Sequence, residues 1–75
     1  MTQKELNKVL ENHLHWLNKD CEGWENMRAV LDGENLKGLN LEGSVLKWAS
    51  LYRASLDFAD LEGANLIDAN LVGAS

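Results

Sequence analysis

The chain is poor in the features by which many proteins declare their chemistry. It holds one cysteine, Cys21, in 75 residues, so no internal disulfide can form. No apolar run approaches the ~18 residues needed to span a bilayer, and the N-terminus lacks the apolar stretch of a secretion signal. Basic residues are scarce: 7 Lys and Arg stand against 12 Asp and Glu, giving a net charge of −5. That balance disfavours unaided binding to nucleic acid or to an anionic membrane surface. No phosphate-cradling glycine loop is present, because Gly33, Gly38, Gly43, Gly63 and Gly73 recur at one fixed position of a repeat. His13 and His15 lie two apart on a helical stretch and point about 200° from each other, so they cannot chelate one metal from a single face. Cys21 could join one of them, but it sits between Asp20 and Glu22, whose negative charges should dull its reactivity. The expectation is a soluble, cytoplasmic, non-enzymatic protein with no catalytic residue, no cofactor and no metal.

What the chain does have is a leucine every five residues from Leu31 to Leu71, nine in all, without a miss. Alanine stands two residues earlier at 29, 49, 54, 59, 64, 69 and 74. A period of five matches neither a helix nor a strand. On an α-helix each leucine would advance by ~140°, scattering the set around the axis. The chain must turn once per repeat so that every leucine reaches a common axis, which is a solenoid. A narrow tube takes one large and one small apolar residue per side, because close packing leaves no room for two large ones. Nine inward leucines, each contributing ~1.5–3 kcal/mol, make a reasonable core for one small domain.

The segments Ala59-Asp60-Leu61-Glu62-Gly63, Ala64-Asn65-Leu66-Ile67-Asp68 and Ala69-Asn70-Leu71-Val72-Gly73 resemble the units of the pentapeptide-repeat family. The resemblance implies a mainly β fold: a right-handed, quadrilateral parallel β-helix with four units per coil, about 2.25 coils here. It also implies that leucine and the preceding alanine point inward while the other three positions face solvent. Residues 1–75 then form a single domain, with 1–28 a helical cap and connector and 29–75 the β-helix.

Thr2 to about Lys19 reads as one amphipathic helix. Thr2-Gln3-Lys4-Glu5 fits a capping box, and Leu6, Val9, Leu10, His13, Leu14 and Leu17 form the stripe expected to face the core. Residues 20–28 are a connector. The helix is expected to lie across the open N-terminal end of the tube, with Trp16 or Trp24 sealing the first coil. His13 is expected to be partly buried and His15 solvated. The first coil alone replaces the alanine position, by Glu34, Leu39 and Ser44, where a capping helix alters the surroundings.

With four units per coil, residues 20 apart stack. The first side carries Asp32, Tyr52 and Arg53; the second Lys37, Asp57 and Phe58. The third carries Asn40, Glu42, Asp60 and Glu62 with no basic residue, and the fourth Val45, Lys47, Trp48, Asn65, Ile67 and Asp68. Residues 29–75 hold seven acids and three bases, a net of −4. Over 2.25 coils of ~4.8 Å this is roughly one charge per 2.7 Å, against one per ~1.7 Å for duplex DNA. The pattern predicts an acidic protein-binding inhibitor that mimics DNA and contacts a basic DNA-binding surface through Glu42, Asp57, Asp60, Glu62 and Asp68, with Trp48, Tyr52 and Phe58 as anchors. The family resemblance brings in gyrase as one such partner. Short acidic chains also resemble phage-encoded anti-CRISPR proteins, which makes a CRISPR effector subunit the favoured partner. A homodimer through the open C-terminal coil, buried by coaxial stacking, is the structural alternative.

Overall fold

The computed structural model describes residues 1–75. One α-helix, α1 (Gln3–Asn18), is followed by a short 3₁₀ turn, Trp24–Asn26. From Ala29 onward the chain coils, with parallel bridges joining Val30 to Ser50, Asn35 to Ser55, Asn40 to Asp60, Val45 to Asn65 and Ser50 to Asn70. The constant separation of 20 residues makes four five-residue sides per coil. The expected β character is reduced to these isolated bridges, so the longest regular element is the helix. The reason is local: each side must turn after three residues, leaving no room for an extended strand.

Every corner is built alike. The N–H of the residue three beyond each leucine donates to that leucine's carbonyl at 3.0–3.1 Å, as from Glu34 to Leu31 and from Ala74 to Leu71. The second residue after each leucine has φ between 57° and 73°, the positive φ a type II turn requires at its third position. Glycine fills this place at Gly33, Gly38, Gly43, Gly63 and Gly73, while Trp48, Arg53, Phe58 and Asp68 adopt it without that freedom.

Adjacent coils are laced by the backbone. Leu41 N–H donates to Asp60 C=O at 2.8 Å, Gly43 N–H to Glu62 C=O at 2.8 Å, and Asp60 N–H to Leu39 C=O at 2.9 Å. The N–H of the residue just after each leucine is left out of this ladder. At five of the nine it is taken by the side chain two residues back: Asn35, Asn40, Asp60, Asn65 and Asn70 each accept it through Oδ1 at 2.9–3.0 Å. These Asx turns explain why asparagine or aspartate precedes the leucine so often. On the first side, Ser50 cannot reach, and Asp32 of the coil below accepts from Tyr52 N–H at 3.2 Å and from the Ser50 hydroxyl.

The core is smaller than the sequence pattern implies. Leu31, Leu36, Leu41, Leu46 and Leu51 are fully buried together with Leu6, Ala29, Ala49 and Ala54. Leu56, Leu61 and Leu66 are only partly buried and Leu71 is 38% exposed, because they line the second coil's upper rim, away from the helix.

Helix α1 starts as expected. Glu5 N–H donates to the Thr2 hydroxyl at 3.1 Å, and Thr2 N–H donates to Glu5 Oε1 at 2.8 Å. That backbone donor holds the Glu5 carboxyl below the usual carboxylate range. The helix does cross the N-terminal mouth of the tube, but tryptophan is not the seal. Leu6 fills the mouth, fully buried, and His13 is buried beside it instead of half solvated. Trp16 and Trp24 remain outside, Trp16 stacked on the His13 ring at 5.3 Å between centroids. Leu14 departs from the expected stripe and is 44% exposed.

The lower rim of the first coil has unpaired backbone groups, and α1 satisfies them. Asn40 N–H donates to Gln3 Oε1 at 2.8 Å and Gln3 Nε2 donates to Asn40 C=O at 2.9 Å. The Gln3 amide thus repeats the bonding that the next coil offers on the other side. Ala29 N–H donates to His13 Nδ1 at 2.9 Å, so Nε2 carries the proton and donates to Lys47 C=O at 2.8 Å. Burial pushes the His13 imidazole below its ordinary pKa, against the Lys47 carbonyl, with the Arg28 charge adding to the lowering.

Candidate functional site

Since leucine points inward, the outer positions are the ones free to act. The predicted contact residues fall on all four sides. Tyr52 is on the first, Asp57 and Phe58 on the second, Glu42, Asp60 and Glu62 on the third, and Trp48 and Asp68 on the fourth. The structure therefore brings Glu42, Asp60 and Glu62 together on one side and leaves Asp57 and Asp68 around its two corners. All five carboxylates are exposed.

Their surroundings are unusual for an acidic side. The Lys–carboxylate pair of the molecule is Lys8–Glu11 at 3.9 Å, and His15 Nδ1 lies 2.7 Å from Asp20 Oδ1, both in the N-terminal part. Two of the three solenoid bases are turned to aromatic rings instead: Lys37 Nζ lies 5.9 Å from the Phe58 ring and the Arg53 guanidinium 5.2 Å from that of Tyr52. Glu62 is stacked one coil above Glu42, and like charges on neighbouring rungs repel. Asp60 is not free in the same way, because its Oδ1 holds the Glu62 N–H at 3.0 Å. Phe58 is 87% exposed and Ile67 and Val72 are 59% and 66% exposed, so this half of the solenoid also presents apolar surface.

Two grooves flank the junction of helix and solenoid. One, of about 350 Å³, runs between α1 and the third side and includes Asn7, Glu11, Leu14, Glu42 and Ser44. The Ser44 hydroxyl is buried there with no partner. The other, of about 360 Å³, gathers all three tryptophans, Trp16, Trp24 and Trp48, with Leu17, Lys19 and Lys47. Lys19 Nζ sits 5.5 Å from the Trp24 ring. From the sequence, Trp16 or Trp24 is expected at the seal and Trp48 as an outward anchor. Their convergence follows from the left-handed turn at Lys19, φ 53°, which ends α1 and folds the connector back. His13 cannot serve as a ligand or a base, since both its nitrogens are held by the backbone.

The pentapeptide repeats family model matches the chain in eight copies over residues 29–66 and 44–75. Among solved structures, the chain is similar to HetL, a pentapeptide repeat protein involved in heterocyst differentiation regulation from the cyanobacterium Nostoc sp. strain PCC 7120. The two are 44% identical with a TM-score of 0.64, over 72% of this chain. The match spans 23% of HetL, so the chain corresponds to about a quarter of that protein's length. No curated protein matches the chain. The match implies a right-handed β-helix, the handedness expected from the family resemblance. No helix of the chain is long and apolar enough to cross a membrane. With the leucine register, the five-residue corners and the 20-residue bridges all in agreement, the chain belongs to the pentapeptide-repeat family.

Proposed function

We propose that the chain is a non-enzymatic protein-interaction module that presents its acidic third side to a basic partner surface and so occupies a place that DNA would take. The observation that carries this reading is the unpaired state of Glu42, Asp57, Asp60, Glu62 and Asp68, while the nearby Lys37 and Arg53 lie against aromatic rings. A solenoid under no such demand gains by pairing its surface charges or alternating their sign. The partner class is a nucleic-acid-handling complex, with a CRISPR effector subunit the first to try and gyrase the second. HetL, similar in sequence and fold, is described as acting in regulation, which suits a binding role.

The test is competition. Purified chain is added to a CRISPR effector and, separately, to gyrase, and the displacement of bound duplex DNA is followed. The variant Glu42→Gln, Asp60→Asn, Glu62→Gln removes three charges yet keeps an Oδ1 acceptor at residue 60 for its Asx turn. The expected result is displacement that weakens with salt and is lost at least about tenfold in the variant. Salt-independent displacement, or equal potency of the variant, rejects the reading.

A second reading rests on the upper rim, where Leu71 is 38% exposed and Leu56, Leu61 and Leu66 are partly covered. A second copy seated coaxially there would bury these leucines and pair the rim's backbone. Light scattering at rising concentration decides it; a constant monomer mass rejects the dimer.

A further inference from the structure

The end of α1 assembles a donor set that the solenoid does not need. Lys19 adopts the left-handed conformation and its N–H donates to His15 C=O at 2.7 Å, which turns the chain back beneath the last helical turn. His15, Asp20 and Cys21 are thereby brought together, with the histidine nitrogen, carboxylate oxygen and cysteine sulfur all within 4.8 Å of one another. His15 Nδ1 and Asp20 Oδ1 are already 2.7 Å apart. We propose that this cluster binds a Zn²⁺-class cation through His15 Nδ1, Asp20 Oδ1 and Cys21 Sγ, with solvent in the fourth position.

Five points support it. Zinc bonds of about 2.0–2.3 Å set tetrahedral donor separations of roughly 3.3–3.8 Å, so the three donors need to shift by about 1 Å at most. Two of these side chains are exposed enough to do so by rotation, His15 at 38% and Asp20 at 47%. The cluster lies at the helix C-terminus, where the peptide dipoles favour a cation. The neighbouring ammonium of Lys19, which would oppose a cation, is turned over the Trp24 ring at 5.5 Å. The donors are also of three kinds, imidazole, thiolate and carboxylate, a mixture zinc accepts and magnesium or calcium does not.

Proton balance is simple. On binding, the imidazole proton moves to Nε2, freeing Nδ1, and the Cys21 thiol proton goes to solvent. One thiolate and one carboxylate then neutralise the divalent ion. Met27 Sδ lies 3.7 Å from Cys21 Sγ and covers that sulfur from the connector side. A thioether suits Cu(I), not zinc, so Met27 separates the two assignments.

The experiment titrates the full chain with Co²⁺ in reducing buffer and reads the thiolate-to-cobalt charge-transfer band in the near ultraviolet. The expected result is saturation at a single equivalent, displacement of cobalt by Zn²⁺, loss of the band in Cys21→Ser, and affinity weakened at least about tenfold in both His15→Ala and Asp20→Asn. Met27→Leu is expected to bind as the parent does. The far-ultraviolet helix signal of each variant confirms that it is folded. Absence of the band at excess cobalt, or parental affinity in either His15→Ala or Asp20→Asn, overturns the site. Loss of binding in Met27→Leu overturns the zinc assignment.

Discussion

Acidifying the protein through the histidine range should loosen the seal between helix and solenoid. At neutral pH His13 is an uncharged plug: Nδ1 accepts from Ala29 N–H at 2.9 Å and Nε2–H donates to Lys47 C=O at 2.8 Å. Protonating Nδ1 sets two donors against each other and leaves a buried charge unpaired. Burial therefore depresses the folded-state pKa, with Arg28 acting in the same direction. The unfolded chain takes up its proton near the ordinary value of about 6.5, and the folded chain only at lower pH. Between those two values the unfolded state binds more protons, so stability falls as pH falls. The slope is at most about 1.4 kcal/mol per pH unit. A domain of this length is stable by only about 4–11 kcal/mol, so a single unit is a visible fraction of the total. The assay is the urea midpoint measured from about pH 7.5 to about pH 5.5, above the usual carboxylate range, for the parent and His13→Gln. Glutamine keeps one donor and one acceptor but does not titrate. The parent should lose stability relative to the variant as pH falls, and His13 should titrate by NMR below the ordinary histidine value. Parallel curves for the two proteins, or an ordinary His13 titration, would refute the reasoning.

Two further outcomes follow from the packing. Leu6→Ala should cost about 2–5 kcal/mol in urea unfolding because Leu6 is wholly buried, whereas Leu71→Ala, at 38% exposure, should cost less than about 1.5 kcal/mol. Gly63→Ala should destabilise by about 1 kcal/mol through its positive φ alone, and Gly73→Ala by more, since its new methyl meets Arg53 Cγ at 3.0 Å; adding Arg53→Ala should erase that excess.

The leucine period was enough to infer the coil and the inward residues, because five is incompatible with any straight element, while the four sides came with the family resemblance. The capping box was equally legible, being a purely local pattern. The identity of the seal was not. Trp16 and Trp24 stand out by size, whereas what the mouth requires is partners for the backbone of Asn40, Ala29 and Lys47, supplied by Gln3 and His13. Those needs appear only once it is known which N–H and C=O groups face away from the next coil. The acidic third side was legible from 20-residue stacking. The spread of its companions Asp57 and Asp68 around two corners, and the diversion of Lys37 and Arg53 to aromatic rings, depend on side-chain directions that spacing does not encode. The gathering of three tryptophans, and of His15 with Asp20 and Cys21, hangs on one left-handed residue, Lys19, whose sequence carries no glycine to announce it.

The Asx turns separate the charge of this protein from its shape. At residues 35, 40, 60, 65 and 70 the fold asks only for an Oδ1 acceptor two residues behind a free N–H, and asparagine and aspartate provide it equally. Four of the five are asparagine, so converting them all to aspartate would move the net charge from −5 to −9 with every corner still closed. Converting Asp60 alone to asparagine would move it to −4. A lineage can therefore raise or lower the electrostatic field of such a coil by single-atom exchanges, oxygen for nitrogen, and retarget it without refolding it.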